Sequence, residues 1–395
     1  MKIVARVVFL ILTLSFYEGL SQNKLEIEGV INDSQGNPIP YVSVHIPTKQ
    51  IGTTSTEEGK FYLALDNSNL QETLVVSSMG FKTFTVKIED FMQQDIATIT
   101  LQDAVTSLET VEVMSASKSK DYVAEALKES KNTFISDNHE LKLIYRRASV
   151  EQNVSKFFVE HYMSFVYKGP KSAISRLQVN EARVSADYRI APEKQWDHAA
   201  VYMINLNPLT GHHGSLKSMN WVKIDDTTYD GEDVMILEGT KKTSGKGKKN
   251  KTVLYIGFDT NNIYRIENSV GNSVYQYVKN SEGKLYLSYH KREYGGQKKI
   301  SEFHQKGLKL KKPFIHSAIK HEAIVLSVET NKKQFNTEGY EEHNKDMNKV
   351  VLPYHPIFWK NLSLPPDTAF YKKIKKELEE NYGVPLEKQY NLVNK

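Results

Sequence analysis

Three groups of residues in this chain have types and spacings that could carry chemistry. His290-Lys-Arg-Glu293 is its one His-x-x-Glu. A zinc hydrolase would need such a pair, a distant third ligand and a glutamate base. The segment reads as a strand, however, and residues three apart on a strand face opposite sides. His212-His213, inside Leu209-Thr-Gly-His-His-Gly-Ser215, places two imidazoles in a glycine-flanked loop. Imidazoles there could bind a metal or exchange protons, but neighbouring residues cannot readily share one ion and no acid lies within ten positions. A surface loop is the better reading. Asp225-Asp226 and Asp230-Gly-Glu-Asp233 could attract Ca²⁺, yet they lack the alternating Asp/Asn loop of a recognisable site, so they read as solvated turns. No Gly-x-Ser-x-Gly elbow, His-Glu-x-x-His, Walker loop or dinucleotide fingerprint occurs. No catalytic, cofactor-binding or metal residue is therefore assigned, and no cofactor is expected. The common hydrolases and nucleotide enzymes are disfavoured; an unusual carboxylate-pair hydrolase stays open.

The elements that would position such residues are mainly β from 140 to 330. Leu141–Arg147, Phe157–Tyr167, Asp233–Glu238, Val253–Phe258, Ile263–Ile266, Val274–Val278 and Leu285–Tyr289 are strand-like. Asp259-Thr-Asn-Asn262 and Asn280-Ser-Glu-Gly283 read as hairpin turns between them. The result is an antiparallel meander, the kind of sheet that builds a half-open barrel when helices cover one face. Val123, Ala126, Leu127 and Phe134 share one face at helical spacing, which predicts a helix over 120–135 capped by Ser117 or Ser119. A C-terminal helix over 366–382 follows from Pro365-Pro366-Asp367-Thr368 and from the recurrence of Phe370, Ile374, Leu378 and Tyr382, with Gly383 and Pro385 as its stop. Its stripe is a docking face against the sheet. An ending on Asn391-Leu-Val-Asn-Lys395 argues against a membrane barrel.

Lys241, Lys242, Lys246, Lys248, Lys249 and Lys251 place six lysines in eleven residues. They could touch anionic lipid headgroups or acidic polysaccharide; a mobile hairpin loop between strands ending at Gly239 and starting at Thr252 is the plainer reading. The 22 Tyr and 16 Phe mostly suit a core or cross-strand pairs, and Tyr275, Tyr277, Tyr286 and Tyr289 are the place for a sugar-stacking platform.

The front of the chain is more specific. Asp33-Ser-Gln-Gly-Asn-Pro38 clusters turn formers between apolar runs. Val42, Val44 and Ile46 alternate with Tyr41, Ser43 and His45, the period of a half-buried strand. After the turn Thr56-Glu-Glu-Gly59, Phe61 and Leu63 point one way and Tyr62 the other; Leu74, Val75 and Val76 form an apolar run; Val86, Ile88, Ile96, Ile99 and Leu101 supply closing strands. A small sandwich follows, with Ile31, Val44, Phe61 and Val75 sharing one interior. The early Gly29, the Asp-x-x-Gly-x-Pro turn, Gly52-Thr-Thr-Ser-Thr, Gly59-Lys-Phe61 and Ser77-Ser-Met-Gly-Phe81 together make residues 25–102 resemble the carboxypeptidase regulatory-like domain. That resemblance implies a transthyretin-like β-sandwich without chemistry of its own, borne by envelope proteins of Bacteroidetes-type bacteria. Residues 103–119 are a polar connector with a short strand at Val111-Glu-Val113. The helix after it, the Tyr145-Arg-Arg strand and the Tyr255-Ile-Gly-Phe-Asp259 hairpin loosely resemble the soluble parts of larger envelope proteins that join this module to a membrane barrel.

Lys2 and Arg6, the apolar Val7–Leu14 and the small residues of Gly19-Leu-Ser21 form a signal peptide over 1–21, cut before Gln22. Its apolar core is shorter than the ~20 residues that span a bilayer. With no cysteine, disulfides, thiolate metal sites and a lipidated anchor are excluded. The net charge of +5, with both signs mixed, argues weakly for acidic envelope surfaces and hardly for nucleic acid. The expectation is an exported, mainly β protein with few helices: a sandwich at 25–102, then an α+β domain at 120–395. It is read as a non-enzymatic periplasmic or outer-membrane-associated protein whose sandwich binds an envelope protein or glycan. The alternatives are a carrier of an apolar or glycan ligand, or an unrecognised hydrolase.

Overall fold

The computed structural model describes residues 24–93, 98–104, 114–191, 208–209, 216–242, 249–341 and 349–394. The signal peptide, Ile96, the Val111–Val113 strand, His212-His213, Lys246 and Lys248 lie outside these residues.

The first unit is the expected two-layer sandwich. In one sheet β1 (Lys24–Asn32) pairs antiparallel with β4 (Lys60–Asp66) and parallel with β7 (Thr98–Thr100). The other sheet runs β3 (Ile51–Thr54), β2 (Ser43–Ile46), β5 (Thr73–Ser77), β6 (Phe84–Lys87). Ile31, Val44, Phe61 and Leu63 are buried between them, as the alternation requires. Three local expectations change. On β5 it is Leu74 and Val76 that enter the core, so Val75 takes the opposite face, half-buried. Strand β2 is not half-buried, because Ser43 and His45 on its second face are covered by the rest of the protein. Ile88 opens a short helix, α1 (Ile88–Met92), not a strand.

The second unit is one long antiparallel sheet. Its strands are β8 (His139–Glu151), β9 (Val154–Tyr167), β10 (Arg176–Val184), β11 (Asn220–Tyr229), β12 (Glu232–Lys242) and β13 (Lys249–Gly257). They continue with β14 (Ile263–Asn268), β15 (Ser273–Lys279), β16 (Leu285–Lys299), β17 (Phe314–Glu329) and the two-residue β18 (Tyr340–Glu341). The spatial order is β11 through β17 in sequence, then β8, β9, β10 and β18. The anticipated turns join β13 to β14 and β15 to β16. β12 and β13 run past Gly239 and Thr252 to pair Lys242 with Lys249. Gly239 lies under the Trp221 indole, where a Cβ would come within 2.7 Å of the ring, so glycine is needed inside this strand.

The sheet curls around helix α2 (Ala116–Thr133), whose Val123, Ala126 and Leu127 pack into its inner face with Leu143, Phe165, Leu237 and Ile256. The helix begins earlier than the pattern suggested. Ser115 is the cap, its Oγ accepting from Lys118 N, and Ser119 is buried within the helix.

The outer face of β8, β9 and β10 is covered by the C-terminal helices α4 (Pro356–Asn361), α5 (Ala369–Tyr382) and α6 (Leu386–Val393); α3 (Glu302–Gly307) lies between β16 and β17. Thr368 caps α5, and Gly383 ends it at φ 66°. Tyr371, Ile374 and Leu378 are its buried stripe, with Phe370 and Tyr382 half-buried on its flanks. The chain then turns through Pro385 into α6, which the stop signal did not foretell.

Coverage on both faces puts polar groups of the central strands inside. The fully buried Glu160 receives bonds from Arg146 Nε at 2.7 Å and from Arg183 Nε, with Lys375 at 4.0 Å. Burial pushes its carboxyl up, but the charges of Arg183, Lys375 and Arg146 outweigh that and hold it well below the ordinary range. Arg183 also lies over the Trp359 ring at 4.5 Å and Arg146 over Tyr371 at 5.3 Å, so one carboxylate ties sheet to C-terminal segment. Removing its charge takes from Arg146 and Arg183 the one carboxylate they share, leaving Arg146 only the more distant Asp367 at 3.9 Å. Glu160→Gln is expected to cost about 3–5 kcal/mol, measured by urea unfolding, and to expose residues 354–394 to trypsin.

Of the five buried histidines among the described residues, His45, His139 and His161 are shifted by their burial. Burial lowers His45 and His139 to about 4, and burial with the neighbouring Arg147 charge lowers His161 to about 3. Each is neutral when folded but protonates near its ordinary value when unfolded. Between about pH 4 and pH 6.5 the unfolded chain binds more protons, so stability rises with pH through that window and is lost on acidification. The expected slope is at most about 1.4 kcal/mol per pH unit for each histidine. Denaturant titrations from pH 7 to pH 4 would measure it, and His161→Gln should reduce the proton uptake by about one.

Candidate functional site

A row of small residues opens the sheet's outer face. Register places Val150 of β8 beside Ala318 of β17, and Ala318 beside Gly295 of β16. In the next row Ala148 faces Lys320, which faces Glu293. With little side-chain volume across three strands, the sheet leaves a hollow of about 530 Å³. Its walls come from three parts of the chain: Glu57 from the sandwich turn between β3 and β4, Phe370 from α5, and the strands themselves.

The polar end of this hollow is a short charge ladder. Lys320 Nζ lies 2.7 Å from Glu57 Oε1 and 3.7 Å from Glu293 Oε1, above the Phe370 ring at 4.8 Å. Tyr41 donates to Glu57 at 2.6 Å, and Lys291 sits over the Tyr41 ring at 4.7 Å. Burial pushes the Glu57 carboxyl up; the bonds from Lys320 and Tyr41 and the charges of Lys320 and Lys291 outweigh it, leaving the group below its usual range. Glu57 is thus an ionised acceptor with a lysine counterion. Among the residues that line the hollow, two carboxylates flank one ammonium, so the lining of this end is negative and faces apolar walls; Lys291 lies outside the lining, over the far Tyr41 ring.

The sandwich is held rigidly enough to serve as a wall. Ser327 of β17 pairs with Ile51 of β3, Val328 N donates to Gln50 O, and Gly80 N donates to Thr228 O. Tyr41 stacks on Tyr289 with centroids 5.1 Å apart, and Gln276 Nε2 donates to its carbonyl. Tyr41 takes φ 58°, an uncommon conformation for a bulky residue, which the surrounding contacts hold. Ser363 Oγ bonds both backbone groups of Ala64, and Ala369 N donates to Glu58, tying the C-terminal segment to the same wall.

The residues singled out from sequence fall elsewhere. His290 points to the inner face, stacked on Tyr275 at 4.2 Å with its Nδ1 bonded to Val274 O, whereas Glu293 faces out, as strand alternation demands. Among the described residues no three His, Asp or Glu side chains are placed to hold a metal. The proposed stacking platform is interior: Tyr275, Tyr277, Tyr286 and Tyr289 are all buried, Tyr277 edge-on to Phe134 and Tyr289 donating to Glu322. A sugar would find no exposed ring face there. Asp225-Asp226 is not a solvated turn: both lie within β11 just past a register shift, and Asp226 pairs with Lys223 at 2.6 Å; Asp230, in the β11–β12 turn, pairs with Lys279 at 3.1 Å. Lys241 donates to Ser218 and Lys251 to Glu238 beside their hairpin. Sequence reading did not reach Glu57, Lys320, Ala148 or Ala318. The one signal for them was Gly295-Gly296 inside a strand pattern, which marks a place where something else approaches the backbone.

Comparison with known proteins adds a little. No curated protein matches the chain. Among solved structures, a "putative outer membrane lipoprotein-sorting protein domain" from Vibrio parahaemolyticus is 10% identical, with a TM-score of 0.28, over 56% of this chain and 96% of its own. A DUF1329 family protein from Desulfovibrio piger is also 10% identical, with a TM-score of 0.26, over 55% of this chain and 95% of its own. Scores this low carry no argument about fold or role. The front end is different: the model of the CarboxypepD_reg-like domain family matches residues 27–113, so the sandwich is a carboxypeptidase regulatory-like domain.

Proposed function

We propose that the protein is an exported, non-enzymatic binding protein of the cell envelope, and that the hollow between sandwich, sheet and α5 holds a small amphipathic ligand. The observation that carries this reading is the three-part pocket: apolar side walls, one charged end, and a volume of about 530 Å³ within the usual range of small-molecule sites. Its charged end favours a head that donates hydrogen bonds, such as an ammonium or a hydroxyl. A carboxylate head would meet Glu57 and Glu293. The regulatory-like sandwich then acts as a wall and orienting scaffold for the ligand.

Hydrolysis by a carboxylate pair finds less support. A general acid must be protonated at working pH, which calls for a raised pKa, and Glu57 is shifted the other way. Lys320 contacts both carboxylates where a water nucleophile would need a free base.

Titration calorimetry with dodecylamine, dodecanol and dodecanoate tests the proposal. The amine and alcohol are expected to bind and the acid to be rejected. Ala318→Trp should weaken binding at least about 10-fold by filling the hollow, with its melting temperature as the folding control. Glu293→Gln should narrow the discrimination between amine and acid. Preference for dodecanoate, or unchanged binding in Ala318→Trp, would refute it.

A further inference from the structure

An antiparallel meander sends alternate connections to the same rim. The β8–β9, β12–β13, β14–β15 and β16–β17 connections therefore share one rim of the sheet. The β11–β12, β13–β14 and β15–β16 turns share the other, where β3 of the sandwich also joins β17. Charge follows this division. The second rim carries Asp230, Glu232, Asp233, Asp259 and Glu282. The first carries the lysine-rich β12–β13 end and a second basic hairpin end, unremarked in the sequence, between β16 and β17.

That second end is unusual in its apolar content as well. Residues 298–312 contain six lysines and a single acid, Glu302. Lys299, Lys306, Lys309, Lys311 and Lys312 are exposed. Among them Phe303 is 81% exposed, and Leu308 and Phe314 are each 43% exposed. The tip is nonetheless well built. Ser301 caps α3, Ile300 N bonds Pro313 O, Gln305 bonds Leu310 in both directions through backbone and side chain, and Leu310 turns inward toward Ile300 and Ile315. An ordered hairpin that packs a half-buried Leu310 inward but presents Phe303, Leu308 and Phe314 beside lysines is not a scatter of stray apolar residues.

We propose that this rim docks on an anionic lipid surface, with Phe303, Leu308 and Phe314 entering the headgroup boundary and the lysines meeting the phosphates. Basic and apolar side chains together are what such an interface selects. An acidic polysaccharide would match the lysines but leave the apolar tip unused. The β12–β13 end lies four strand spacings away, roughly 20 Å, so Lys241 and Lys251 give a second point of contact that sets orientation. The acidic rim, with the sandwich joined to it, is then turned away from the lipid.

Co-sedimentation of the full chain with phosphatidylglycerol-containing vesicles, against pure phosphatidylcholine vesicles, reads the proposal. Binding is expected to the anionic vesicles and to fall steeply with salt. Reversing Lys306, Lys309, Lys311 and Lys312 to Glu should lower partitioning by about 100-fold or more, and Phe303→Ser by roughly 10- to 100-fold. Lys241→Glu with Lys251→Glu should lower it less. In Phe303→Trp, the added emission should shift to the blue on anionic vesicles, with circular dichroism confirming the fold. Equal binding to both vesicle types, or an unshifted emission, would overturn the proposal. So would loss on charge reversal without loss in Phe303→Ser, which would assign the rim to a soluble polyanion.

Discussion

The structure depends on its central strands being covered on both faces. β8, β9 and β17 have α2 and the curl of the sheet on one side, and the C-terminal helices or the sandwich on the other. Side chains that alternation would normally leave in water have no water to face, so their polar groups need internal partners. Glu160 satisfies Arg146 and Arg183 together; Glu140 accepts from Asn336 N, and Glu151 from Ile190 and Ala191 N. The strands read as mixed in polarity yet behave as a core, because their charges meet one another or backbone N–H groups.

The same constraint explains the hollow. Along the outer face of β8, β17 and β16, one end is sealed by Ile144, Ile324 and Tyr289 against the C-terminal segment and Tyr41. The middle is sealed by charge pairing, with Glu322 accepting from Tyr289 and Arg146 reaching Glu160. Where the row becomes Val150, Ala318 and Gly295, nothing large remains to fill the space under Phe370. The hollow is thus the edge of a packed interface, where α5 and the sandwich diverge over small residues. Its charged end continues the polar ladder beneath it.

Rigid attachment of the sandwich follows from the same geometry. Its second sheet extends the long sheet through the pairing of Ser327 with Ile51, and the turn bearing Glu57 reaches Lys320. A module that could have hung on a connector is instead built into the body. One rim of the sheet is therefore occupied by the sandwich, at the end opposite the lysine-bearing rim.

Local sequence determined much of this protein. Turn residues at Asp33–Pro38 and Asp259–Asn262, alternation at Phe61-Tyr62-Leu63 and helical spacing at Val123–Leu127 and Phe370–Tyr382 each state a local preference that the fold keeps. They were enough for the sandwich, the meander and two of the helices, and they showed that His290 and Glu293 diverge. Only the tertiary structure decided which second faces are covered. That is why Val75 left the shared interior to Leu74 and Val76, why four tyrosines became interior, and why His45 and Glu160 lost their solvent. The pocket was equally out of reach: Glu57, Ala148, Gly295, Ala318 and Phe370 span more than three hundred residues. Their proximity follows from strand register and helix docking, which depend on long-range packing and leave no mark in any local window of sequence.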